Sequence, residues 1–129
     1  MNPSIILWLK SCGIIFGILL LCIIIHEFGH AFAYYQIKKK WLKPLFNRKG
    51  YYFSLGDTKD FDELTDEEYS GIVWAGIGLG FIPVFIAALI YVPAIYLSIA
   101  VLYVIGCKDD LRIIYQNNKN KELNQNGNN

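Results

Sequence analysis

The chain has 129 residues, 54% of them hydrophobic, with a mean hydropathy of +0.33 and a formal net charge of +1. That length suits one domain, and the balanced charge gives no basis for binding nucleic acid. The apolar residues fall in blocks with the charges segregated between them, which argues against a soluble domain and for a small polytopic membrane protein.

The first apolar segment runs from about Ile5 to Ile37, longer as a helix than a bilayer core of about 30 Å requires. Lys10 and Ser11 suit an interfacial start. Ala31-Phe32-Ala33 has the pattern of a signal cleavage site, but only one cation (Lys10) precedes it, and the residues just upstream are ionisable, which speaks against a cleaved signal. Those residues are His26-Glu27-Phe28-Gly29-His30, and they include both histidines of the chain. On a helix, residues i and i+4 share a face, so both imidazoles can reach one metal ion. Glu27, between them, is placed to activate a metal-bound water. Ionisable side chains inside an apolar span mark a functional site by default.

Lys38-Lys39-Lys40, Lys43, Arg48 and Lys49 follow directly, a basic cluster that predicts a cytoplasmic loop over 38–69 and an outside N-terminus. Asn47-Arg48-Lys49-Gly50 is a turn signal and Tyr51 to Leu55 has strand composition, so a small cytoplasmic β-hairpin insertion is expected there. Its strand would either cap the helices or offer an edge to an extended peptide. The acidic run from Asp57 to Glu68 reads as a solvated helix start, not a metal cluster. It ends in a capping box, Thr65 with Glu68, which predicts a helix from Asp66 that enters the membrane near Ser70.

Residues 71–107 are nearly all apolar and suit two spans, with a turn near Tyr91 to Pro93. Gly76 and Gly80 form a G-x-x-x-G, read as a helix-packing feature. The expected fold is therefore an all-α polytopic membrane domain over 1–115. Its three or so transmembrane helices lie at about 5–37, 70–91 and 94–107, and a disordered Asn- and Lys-rich tail follows over 116–129. Lys108, Arg112, Lys119 and Lys121 put that tail in the cytoplasm.

A catalytic zinc needs a third protein ligand and keeps one position open. The candidates near a membrane boundary are Asp109, Asp110, Cys107 and Cys22. The first and third spans run in the same direction, and counting along each puts His26 and the aspartate pair at similar depth, toward the cytoplasmic face. That favours an aspartate. Cys22, one turn before His26, reads as a small packing residue, and Cys12, Cys22 and Cys107 make no disulfide framework. Two histidines one turn apart cannot clamp both axial positions of one haem. A transport path would require polar residues along more than one span, and residues 71–106 offer only Ser98 and tyrosines.

His26-Glu27-Phe28-Gly29-His30-Ala31 in an apolar helix resembles the site-two-protease type of intramembrane zinc metalloprotease and the related short zincin-like membrane peptidases. Ala75-Gly76-Ile77-Gly78 is similar to the Ala-Gly-Pro segment of that family, with isoleucine in place of the proline. The resemblance covers most of the chain in outline. It implies Zn2+ held by His26, His30 and a late aspartate, with Glu27 as catalytic base. Asp110 before Leu111 resembles the Asp-Leu/Ile form of the short peptidases. Asp109 is the alternative, if Asp110 replaces the glycine of Asp-Gly. The Asn-Pro-x-Pro lead-in to that aspartate is missing, as is any extra domain. The implied activity is hydrolysis of a membrane-embedded or membrane-proximal peptide, in a prokaryotic cell membrane, with the active site toward the cytoplasm. The rival expectation is a non-catalytic metal-binding or partner-binding membrane module, a degenerate metalloprotease.

Overall fold

The structure is a computed structural model that describes residues 2–47, 52–56 and 58–126. Helix α1 spans Pro3–Lys38. Its start is capped by Asn2, whose side chain accepts the Ser4 amide at 3.0 Å, and Pro3 adds the pre-set φ that suits a first turn. It stops at Lys39, which takes the left-handed conformation (φ 56°) and donates its amide to the Tyr35 carbonyl. At 36 residues α1 is about 54 Å long. Its most apolar 18-residue window has a mean hydropathy of 2.4 and is only 6% buried, so protein does not cover it. The buried face lies in the second half of the helix: Cys22, His26, Gly29, Ala31 and Tyr34.

Strands β1 (Pro44–Asn47) and β2 (Tyr52–Leu55) pair antiparallel, Pro44 opposite Leu55 and Asn47 opposite Tyr52. A single turn, α2 (Thr58–Phe61), leads to α3 (Asp66–Gly80). The capping box at the start of α3 is complete. The Thr65 hydroxyl accepts the Glu68 amide, and the Glu68 carboxylate accepts the Thr65 amide at 2.9 Å. That amide holds the exposed Glu68 carboxyl below its ordinary range. The helix breaks at Phe81 and resumes as α4 (Ile82–Ile90), with Pro83 in the first turn of the new helix. Proline has no amide hydrogen to continue the ladder, so the break falls just before it. Helix α5 (Pro93–Gly106) begins with another proline, and α6 (Lys108–Asn126) follows after a one-residue interruption at Cys107.

Helices α1, α3, α4 and α5 enclose the main core, which includes Cys22, Val73, Ile77, Val84, Ile99, Tyr103 and Cys107. A smaller cluster of Ala31, Tyr34, Leu42 and Ile72 lies under Phe61 and Leu64. Helices α1 and α3 approach closely at Gly29, where a Cβ would stand 2.7 Å from the Ala75 carbonyl oxygen. Only glycine lets the two backbones come this near.

The expected fold class is corrected in two respects. Two helical stretches, Pro3–Lys38 and Asp66–Ile90, are long and apolar enough to cross a membrane, which is compatible with a membrane protein. The third expected span is not among them: α5 has 14 residues, about 21 Å of helix, short of a bilayer core of about 30 Å. The second correction concerns the β-hairpin insertion, because the fold is helical in character. Outside the helices, the described residues hold one pair of four-residue strands, and the expected turn at residues 48–50 lies outside the described residues. The segment expected as a disordered tail is also mostly helical, since α6 runs to Asn126. Asp109 and Asp110 in its first turn oppose the positive end of the helix dipole and support that start.

Candidate metal centre

The break between α5 and α6 decides what reaches the histidines. Cys107 ends α5, and the first turn of α6 carries Asp110 back against the buried face of α1. Asp110 Oδ2 lies 2.9 Å from His26 Nε2 and 3.8 Å from His30 Nε2. The two Nε2 atoms are 2.9 Å apart. These three residues form a group whose ligating atoms all lie within 4.8 Å of one another. Ligands held at about 2.0–2.2 Å around a tetrahedral zinc stand about 3.3–3.6 Å apart, so the triangle has the size of one face of such a site.

The outer ring nitrogens define what the inner ones offer. His30 Nδ1 is 2.9 Å from the Ile72 carbonyl oxygen, which can only accept, so Nδ1 carries the hydrogen. His26 Nδ1 is 2.8 Å from the Tyr103 hydroxyl. That hydroxyl donates to the Ile77 carbonyl at 3.1 Å, with the Gly76 carbonyl at 3.4 Å, and so accepts from His26. Both neutral rings then direct an Nε2 lone pair at the Asp110 carboxylate and at each other. Three acceptors face one another with no donor among them, a set that calls for a positive charge at its centre. Zinc fits this donor set of two imidazoles and one carboxylate.

Glu27 is half-buried and borders two cavities beside the group. The larger, about 630 Å³, lies between α1 and α5 and passes from Leu19, Ile23 and Leu102 to His26, Glu27 and Asp110. The smaller, about 180 Å³, opens beside Phe61 and Tyr69. Water or a peptide carbonyl in either space would stand next to the carboxylate and the three candidate ligands.

The remaining candidates fall outside the group. Asp109 is exposed and lines only the wall of the larger cavity. Cys107 is buried with its sulfur 3.9 Å from His26 Nδ1, the ring nitrogen that faces away from Asp110. Cys22 is fully buried in the main core. The glycines read as packing residues serve the histidines more directly. A Cβ at Gly76 would collide with the His30 imidazole, and one at Gly80 with the Tyr103 hydroxyl. Tyr103 itself is missed by the sequence reading. The available signal is its spacing, since Tyr103, Cys107 and Asp110 stand at i, i+4 and i+7, which on a continuous helix would share a face. No family model, curated protein or solved structure matches the chain.

Proposed function

We propose that the chain is a zinc-dependent intramembrane endopeptidase, acting on a membrane-embedded or membrane-proximal peptide. One observation carries this reading: the possible ligating atoms of His26, His30 and Asp110 lie within 4.8 Å of one another, and Glu27 borders the cavities beside them. His26, His30 and Asp110 would hold the metal. When bound, zinc supplies Lewis acidity toward a water and toward the scissile carbonyl. Glu27 takes the proton of the attacking water and later returns it to the leaving amine. A helical substrate hides its peptide bonds, so the segment to be cut would have to unwind locally. The basic run Lys38-Lys39-Lys40, at the end of α1, supports a cytoplasmic placement of this end of the molecule.

The test uses the purified full chain in detergent and a panel of quenched-fluorescence transmembrane peptides. Glu27→Gln should keep its zinc and lose cleavage by roughly 100-fold or more. Full cleavage by Glu27→Gln, or by a variant lacking both His26 and His30, would refute the reading. Zinc bound stoichiometrically with no cleavage of any peptide would instead support the non-catalytic metal-binding module.

A further inference from the structure

We propose that Tyr103 is the positioning residue of this centre, fixing the tautomer and ring orientation of His26 against a carbonyl released by the break in the α3–α4 helix. The proposal rests on the metal reading above. Its starting point is a backbone group in an apolar interior. At the end of α3 the Phe81 amide donates to Gly78 O at 3.3 Å, a tighter turn than the helical ladder. The Ile77 carbonyl thereby loses the donor that a continuous helix would supply from Phe81. A bare carbonyl buried among apolar residues is costly, and the Tyr103 hydroxyl satisfies it at 3.1 Å.

That donation uses the one proton of the hydroxyl. What remains is a lone pair, and it faces His26 Nδ1 at 2.8 Å. The hydroxyl has little freedom to do otherwise. Tyr103 is 4% exposed, its ring meets Phe81 edge-on at 4.9 Å, and its oxygen occupies the space where Gly80 lacks a Cβ. His26 is therefore held with Nδ1 protonated and Nε2 free toward Asp110. A partner at the outer nitrogen is how proteins set the tautomer and orientation of a metal-ligating histidine. His30 is set independently, by the Ile72 carbonyl, and so serves as an internal control.

The experiment uses the purified full chain, 15N-labelled at histidine, in detergent at mildly alkaline pH, with zinc titrated into the metal-free protein. The wild type should give both histidines as the Nδ1–H tautomer. In Tyr103→Phe, His26 should lose that single tautomer while His30 keeps it, and zinc affinity should fall about 10–100-fold. A general structural effect would move both histidines together. Unchanged His26 signals and unchanged zinc affinity in Tyr103→Phe would overturn the positioning role. So would a wild-type His26 protonated at Nε2, a result that stands even if the variant does not fold. A wild-type chain that binds no zinc would sink the metal reading itself, so the two failures are separable.

Discussion

Gly76 and Gly78 stand two residues apart on α3 yet face different surroundings. A Cβ at Gly76 would overlap the His30 imidazole, whereas one at Gly78 meets nothing within 4 Å. Gly76→Ala should therefore displace His30, weaken zinc binding, and destabilise the fold by about 1–3 kcal/mol through overpacking. Gly78→Ala should be neutral, or stabilising by up to about 1 kcal/mol, because alanine is the better helix former. Zinc titration with thermal unfolding of the two variants checks both outcomes. Asp110→Ala should likewise weaken zinc binding and Asp109→Ala leave it unchanged. At this scale the closeness of His26 and His30 was legible because helical spacing alone puts both imidazoles on one face. The choice between the aspartates was not. Adjacent helical residues point about 100° apart, and only the turn at Cys107 determines which one faces the rings. The glycine pair was legible as a close-approach feature, but the group approaching is a ring, and its position depends on the crossing of α1 and α3.

Among the elements, α3 was the most legible, because a capping box is local chemistry. Replacing Thr65 with alanine should cost about 0.5–2 kcal/mol in stability, measured by denaturation in detergent. The Glu68 carboxyl is held below its ordinary value of 4.5 in the folded chain. The stabilisation it provides is therefore present above that value and is lost as pH falls through the lowered one. Glu68→Gln should have a shallower acid limb of thermal stability than the wild type, and superimposable limbs would contradict this. The bounds expected for the third span were close to those of α5, but so short a helix does not cross a bilayer core, and the polar composition of the tail hid its helix. Pro93 starts α5 and Cys107 ends it, leaving 14 residues, and the polar sequence after it continues as helix to Asn126. The strand composition around Tyr52 is real, but it yields only a four-residue pair beside a helical body.

Across the whole molecule, the centre is assembled from opposite ends of the chain. Helix α1 brings the histidines, α6 the aspartate, α5 the tyrosine, and α3 the carbonyls that orient both rings. No local pattern contains that assembly, although the similar depths counted for His26 and the aspartate pair pointed toward it. Helix α1 leaves most of its apolar surface uncovered by protein, so the chain should stay in the membrane fraction under alkaline carbonate washing and require detergent for release. Recovery in the soluble fraction would contradict a membrane location. The central claim is that His26, His30 and Asp110 form one zinc site. X-ray absorption at the zinc edge, with metal content per chain, tests it most directly. One zinc per chain is expected, with two imidazole nitrogens and oxygen ligands, lost when His26 and His30 are replaced and weakened in Asp110→Ala. A wild-type chain without zinc, or a zinc signal unchanged by removing both histidines, would contradict it.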